Sequence, residues 1–338
     1  MHRVVMHRTM RAAVLYDVDD IRIEERPMPE IGQGELLVES RACGICTGDV
    51  MSWYIRRKAP LVLGHEPAGV VAAVGKDVRE FQRGDRVFAH HHAPCFACRF
   101  CARGDYVQCA TWRKGALDPG GLAQYFRVPR ENVADTLRLP PTVSFADGSL
   151  VEPLACVMKS LRRSGVRSGD SLFVIGLGVM GLMHAIVAQS WRVRVAGTDF
   201  LPERRAFAEQ LGIESCEPAR ASAQSNVVIC GPGTPEALRN AIAAAAPGGT
   251  VLMFTPLDPA TPLTLDANDL YFRDIRLIAS YSCGPDDTRA ALDAIERGVV
   301  TAERLDATLY RLEETAEAYA ALRRRAVLKP IVTFESAT

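Results

Sequence analysis

The chain has 338 residues, 48% of them apolar and 24% charged, which is long enough to bury two ordinary globular cores. Lysine plus arginine number 40 and so do aspartate plus glutamate, so nothing global draws the chain to nucleic acid or anionic lipid, and a small-molecule partner is expected. No apolar run reaches the roughly 18–20 residues of a membrane span, and the basic opening Met1–Arg11 lacks the apolar stretch of a secretory signal, so the expected location is cytoplasmic.

Residues 1–9 (MHRVVMHRT) read as an extension ahead of a strand-like opening at Met10, and no function is assigned to them. From Met10 to about Pro140 the short runs AAVLY, ELLVES, AGVVAAVG and DRVFAH are broken by Gly, Pro and Asp, which predicts an irregular β-rich domain. From about Ser160 strands alternate with helices: SLFVIG, a helix from about Val179 to Gln189, RVRVAGTD, a helix from Pro202 to Leu211, NVVICG, a helix from Pro235 to Ala246, and GTVLMFT. That alternation specifies parallel strands joined by crossover helices. A strand IRLIASYS, helical segments DDTRAALDAIERG and EETAEAYAALRRR, and a terminal strand KPIVTF complete the chain. There is no internal repeat and no low-complexity tract.

Strand SLFVIG runs into Gly176-Leu177-Gly178-Val179-Met180-Gly181 and then an apolar helix. Glycines between a strand and a helix let the backbone approach a pyrophosphate, and the helix N-terminus offers it unpaired N–H groups. The next strand ends at Asp199, about where a carboxylate accepts hydrogen bonds from an adenosine ribose; its charge would repel a 2′-phosphate, which favours NAD over NADP. The plainer alternative is that Asp199 only caps the helix near Pro202. Arg204 and Arg205 lie close enough in sequence to soften the preference, or form a solvated face.

Four of the ten cysteines, Cys95, Cys98, Cys101 and Cys109, fall in one short stretch. Four thiolates fill a tetrahedral zinc shell with no open position, a site that holds a lobe together and does no chemistry. The alternative is four free or disulfide-bonded thiols.

Three further segments combine metal-ligand types with turn residues: Cys43-Gly-Ile-Cys46-Thr47-Gly48-Asp49, Gly64-His65-Glu66-Pro67 and Val151-Glu152-Pro153-Leu154. Singly each is ordinary, and Cys43 reads as a buried structural cysteine. Their order, with the four-cysteine lobe and GLGVMG, resembles the zinc-containing medium-chain dehydrogenases, and within them the sorbitol and other polyol dehydrogenases and threonine dehydrogenase. The resemblance runs from Met10 to about Phe334 and takes in GDRV at Gly84–Val87, Gly120-Gly121 before AQYF, and PGGTVLMF near Gly248.

The resemblance implies a GroES-like β-rich catalytic domain over 1–153 and 284–338, with an inserted Rossmann domain, a doubly wound parallel sheet, over 154–283. The active cleft is expected at their interface. It implies two zinc ions per chain: a structural one on the four cysteines, and a catalytic one held by Cys46, His65 and Glu152, with Glu66 as a nearby or exchanging fourth ligand. Glu152 in the EPL context points toward polyol dehydrogenases. NAD would lie on Gly176, Gly178, Val179, Met180, Gly181, Asp199 and Arg204, and the expected partners are a small alcohol or ketone and further copies of the chain, as a homodimer or homotetramer.

The chain departs from the family pattern at the proton relay, because Gly48 stands where a hydroxyl residue is usual and Met51 replaces a nearby histidine. Either Thr47 takes that role, or ordered water and Glu66 carry the proton. Asp49 would orient a ligand from outside the metal shell. His90, His91 and His92 precede the cysteine lobe; His92 falls about where threonine dehydrogenases carry a histidine and would face the substrate, or the three form a surface cluster, and Trp53, Tyr54 and Trp112 line the pocket or simply pack. Arg56-Arg57-Lys58 would receive an acidic or phosphorylated substrate, or be a solvated run. The expected activity is hydride transfer between a secondary, polyol-type alcohol and NAD. The alternatives are an amino alcohol such as threonine, a phosphorylated sugar alcohol or cyclitol, and a non-catalytic dinucleotide-binding protein.

Overall fold

Alternating and continuous apolar runs become strands in two compact units, one made of the residues up to Pro153 and from Gly284 onward, the other of Leu154–Cys283. The structure, a computed structural model, describes residues 9–220 and 224–335; the extension read before Met10 lies outside the described residues except for Thr9. No helix among the described residues is long and apolar enough to cross a membrane.

In the first unit, β1 (Thr9–Asp17) and β2 (Asp20–Pro27) form an antiparallel hairpin. The remaining strands before Pro153 are β3 (Leu36–Gly44), β4 (Leu61–Val62), β5 (Glu66–Val74), β6 (Arg86–Ala89), β7 (Tyr125–Val128) and β8 (Thr136–Arg138). In the second unit lie β9 (Ser171–Ile175), β10 (Arg194–Thr198), β11 (Glu214–Cys216), β12 (Ser225–Cys230), β13 (Ala245–Met253) and β14 (Arg276–Ala279). The chain returns to the first unit with β15 (Thr308–Arg311) and β16 (Pro330–Thr333).

The first unit has a three-stranded sheet, β2-β1-β4, and a larger one ordered β15-β16-β3-β5-β6-β8, with β7 also paired to β3. Its centre is apolar: Leu36, Val38, Val71, Val87, Phe126 and Val128 pack in one cluster, and Ala13, Leu15, Ile45, Leu63 and Tyr319 belong to another. Burying each large apolar side chain contributes on the order of 1.5–3 kcal/mol, so the sheets are held by their inward faces. β16, from the C-terminal end, lies antiparallel to β3 with Val332 opposite Cys43 and Ile331 opposite Gly44. This pairing brings the last strand beside the first cysteine segment.

The second unit is a six-stranded parallel sheet ordered β11-β10-β9-β12-β13-β14, with β9 and β12 adjacent at the point where the strand order reverses. In order of appearance this is 3-2-1-4-5-6, the doubly wound Rossmann order, so the β-rich plus Rossmann-type fold expected from the sequence is present. Helices Val179–Ser190, Pro202–Gln210 and Pro235–Ala244 connect its strands. The last ends two residues before the boundary read from sequence because Ala245 adopts extended backbone and begins β13. Glu152 sits in the first turn of the helix Val151–Ser164.

Candidate active site

Strand register builds the centre of the site. Gly44 of β3 is paired with Glu66 of β5 on one side and Ile331 of β16 on the other. A Cβ at Gly44 would lie 2.0 Å from Oε2 of Glu66 and 2.9 Å from Nζ of Lys329, so the missing side chain makes room for that buried pair. Lys329 Nζ donates to Glu66 Oε2 and, at 3.1 Å, to the carbonyl of Ile45. The other oxygen, Oε1, is buried with no hydrogen-bond partner, an orphan that a cation would satisfy. Burial pushes the Glu66 carboxyl up, while the charges of Lys329 and His65 pull it back.

Cys46 leaves β3 to cap a single turn, Thr47–Val50, and its sulfur accepts the Gly48 N–H at 3.3 Å. Gly64, at φ +95°, turns the chain into His65; a Cβ there would lie 2.4 Å from the Leu122 nitrogen. The outcome is that donor atoms of Cys46, His65 and Glu66 lie within 4.8 Å of one another. Asp49 Oδ2 is 3.5 Å from His65 Nδ1, and the buried Tyr319 hydroxyl donates to the same oxygen at 3.3 Å. Burial alone would lower the His65 pKa, but the Asp49 carboxylate and the Cys46 sulfur outweigh it and hold the ring well above its usual value. A field that favours a proton there favours a divalent cation as well.

Glu152 falls in an adjacent group with His90 and His91, also within 4.8 Å of one another. The two groups touch through His65 and His91, whose ring centroids are 5.0 Å apart, and the Glu152 charge contributes to raising His65. The fully buried His90 is fixed: its Nδ1 is 2.6 Å from Asp135 Oδ2, Thr288 donates to Oδ1 of the same carboxylate at 2.7 Å, and Asn132 donates to the His90 carbonyl at 2.9 Å. His91 and His92 follow with ring centroids 4.0 Å apart, and His92 lies 4.0 Å from the ring of Trp112.

Of the expected relay residues, Thr47 is exposed and Gly48 half-buried. Trp53 and Tyr54 meet edge to face at 5.8 Å, and the basic run beside them is largely engaged. Arg56 pairs with Asp17 at 2.9 Å, Arg57 lies over the Trp53 ring, and Lys58 donates to the Tyr54 hydroxyl at 2.7 Å. These contacts favour the solvated-run reading over an anion receptor.

The sulfurs of Cys95, Cys98, Cys101 and Cys109 converge within 4.8 Å, around a small core that includes Val107 and Trp112. At Cys109 burial opposes the thiolate, but N–H groups of Cys95, Trp112 and Thr111 prevail and lower its pKa to about 6. Burial pushes Cys101 up to about 12. Four soft donors in this array match zinc.

In the second unit, Gly176 takes φ +91° and a Cβ at Gly181 would lie 1.9 Å from the Gly176 carbonyl oxygen, so both positions of the loop require glycine. Gly178 caps the helix that Val179, Met180 and Gly181 begin. Asp199 follows β10 directly; its Oδ2 accepts the Leu177 N–H at 2.8 Å and its Oδ1 the Leu201 N–H at 2.9 Å. Arg204 stands 3.7 Å from Asp199 Oδ2 and beside Gly178. The loop, Asp199 and Arg204 are thereby one connected assembly.

Sequence reading had missed Lys329, Tyr319 and Asp135. Lys329 lay in the strand KPIVTF with only its flanking proline to mark it, and no local signal couples it to Glu66.

Residues 32–140 match the family described as alcohol dehydrogenase GroES-like domain, and residues 178–297 match the zinc-binding dehydrogenase family. The sorbitol dehydrogenase of Bombyx mori is 28% identical over 350 residues, covering 95% of this chain and 97% of that protein. A protein of Aspergillus clavatus named as a D-xylulose reductase A is 27% identical over 352 residues, covering 94% and 95% respectively. Among solved structures, a Sinorhizobium meliloti protein described as a zinc-binding dehydrogenase and bound to NADP superposes with a TM-score of 0.87 at 26% identity, over 97% of this chain and all of that one.

Proposed function

The chain belongs to the zinc-dependent medium-chain dehydrogenases, and on that premise we propose that it moves hydride between a secondary, polyol-type alcohol and NAD, using the Cys46–His65–Glu66 group as its metal centre. The observation that carries this reading is the convergence of a thiol, an imidazole and a carboxylate within 4.8 Å of one another, with the second oxygen of that carboxylate tied to Lys329. Zinc there supplies Lewis acidity, which eases loss of the alcohol's proton in one direction and polarises the carbonyl in the other.

The chain's own groups do the rest. Asp49 and Tyr319 orient His65, and Lys329 orients Glu66. In this reading the two glutamates exchange the roles expected from the sequence: Glu66 converges with Cys46 and His65 as the resident carboxylate, and Glu152, in the neighbouring group, is the exchanging ligand or accepts a hydrogen bond from the substrate hydroxyl. Protons leave by Thr47 or by way of Glu66 and water. Gly176, Gly178 and Gly181 cradle the pyrophosphate, and Asp199 binds the adenosine ribose and disfavours a 2′-phosphate. Cys95, Cys98, Cys101 and Cys109 hold the second zinc, which is structural. The intact ligand set argues against a non-catalytic dinucleotide-binding protein.

The test is a spectrophotometric screen of polyols, simple secondary alcohols, threonine, cyclitols and sugar phosphates against NAD and NADP, on zinc-loaded protein. Reduction of NAD by polyols supports the reading. NAD binding with full zinc loading and no turnover of any alcohol would support the binding-protein alternative.

A further inference from the structure

His91 and His92 are left over when the proposed metal centre has taken its ligands, and their positions are specific. Their rings form a ladder from the metal group outward, with centroid steps of 5.0 Å from His65 to His91, 4.0 Å to His92 and 4.0 Å to Trp112. Both residues are half-buried, as are Cys46 and His65, so all four remain reachable from solvent. The Nδ1 atom of each is nevertheless buried and has no hydrogen-bond partner, while His92 is also tied to the backbone of Gly115 by a hydrogen bond. Buried polar nitrogens are normally satisfied, and leaving two adjacent ones open is destabilising unless a ligand completes them.

The segment that presents them is rigid. It leaves β6 through His90, which Asp135, Thr288 and Asn132 lock from three sides. Trp112 backs His92 from within the cysteine lobe and is itself 1% exposed. Open hydrogen-bonding capacity on a fixed frame, one imidazole away from the metal group, is what selective recognition of a substrate group needs.

We propose that His91 and His92 form a hydroxyl-recognition subsite, so that preferred substrates carry hydroxyls on carbons beyond the one oxidised; this rests on the dehydrogenase reading above. Each open Nδ1 donates or accepts according to the tautomer of its ring, and a hydroxyl, itself both donor and acceptor, answers either. A monohydroxy alcohol fills the metal centre and leaves the two nitrogens open, whereas a polyol occupies both places.

The experiment compares kcat/KM for 2-butanol, 2,3-butanediol and xylitol with NAD, using zinc-loaded wild type, His91→Ala, His91→Asn and His92→Phe. It adds zinc content and the equilibrium binding of xylitol to the NADH-loaded enzyme, followed by nicotinamide fluorescence. In wild type the polyols are expected to be preferred, and His91→Ala lowers the xylitol-to-butanol ratio and xylitol affinity about tenfold, near the value of one hydrogen bond, with zinc retained. His91→Asn recovers part of the ratio, and His92→Phe, which keeps the stacking on Trp112, lowers it. An unchanged ratio overturns the subsite, as does a wild type that oxidises 2-butanol as efficiently as xylitol. Loss of zinc in His91→Ala with equal loss for all three alcohols overturns it too, and makes His91 a metal ligand. Should wild type oxidise none of them yet bind xylitol in a His91-dependent way, the dehydrogenase reading falls and the subsite stands; absence of both turnover and binding removes both.

Discussion

Lys329 donates its ammonium to Oε2 of Glu66, and the two side chains are buried to 1% and 0% exposure on adjacent sides of Gly44. Removing one member of such a pair leaves an uncompensated charge in the interior. Lys329→Met is therefore expected to cost about 3–5 kcal/mol of stability in urea denaturation. The double variant Glu66→Gln with Lys329→Met should recover most of that loss, since no unpaired charge remains.

His184 makes the stability of the second unit pH-dependent. It is fully buried; its Nδ1 lies 2.7 Å from the Met180 carbonyl and its Nε2 2.5 Å from the Ser160 hydroxyl, and burial lowers its pKa from 6.5 to about 4. The unfolded chain takes up the proton below the ordinary histidine pKa while the folded chain resists until about pH 4. This contribution is present above pH ~6.5 and is lost as pH falls toward the folded value, by about 2 kcal/mol between pH 7 and pH 5. Urea titrations at the two pH values should show that increment in wild type and its disappearance in His184→Gln.

The cysteine lobe should empty independently of the other metal site. Cys109→Ala removes one of the four converging sulfurs, and elemental analysis is expected to fall from two zinc ions per chain to one. The thermal midpoint should drop as the core around Val107 and Trp112 loosens. Retention of both ions would remove Cys109 from the shell.

Asp199→Gly is expected to reduce kcat/KM for NAD by roughly 10- to 100-fold, the value of hydrogen bonds to a charged group, and to narrow the gap to NADP because Arg204 is freed from its 3.7 Å contact with the carboxylate. Steady-state kinetics with both cofactors measures this directly. An unaltered preference would confine Asp199 to holding the Leu177 and Leu201 N–H groups.

What the sequence made legible is what it encodes locally. Gly176, Gly178 and Gly181 announce a strand-turn-helix because the loop tolerates no Cβ there, and the CxxCxxC spacing draws its own sulfurs together. Strands alternating with crossover helices specify the parallel sheet, whereas its 3-2-1-4-5-6 order depends on which neighbour each crossover returns beside and is set by the fold. Long-range partners were invisible: Lys329 reaches Glu66 only because β16 pairs with β3, and Asp135 reaches His90 only because Asp135 immediately precedes β8, which pairs with β6. The helix that carries Glu152, Val151–Ser164, was not read from the sequence, although proline is well tolerated in the first turn of a helix.

The position of the metal tests the account most directly. Anomalous diffraction collected on either side of the zinc edge, from crystals of the zinc-loaded protein, should give two peaks per chain: one within bonding distance of Cys46, His65 and a carboxylate from Glu66 or Glu152, and one enclosed by Cys95, Cys98, Cys101 and Cys109. A single peak at the four cysteines, with Cys46 and His65 bearing no density between them at full zinc loading, would contradict it.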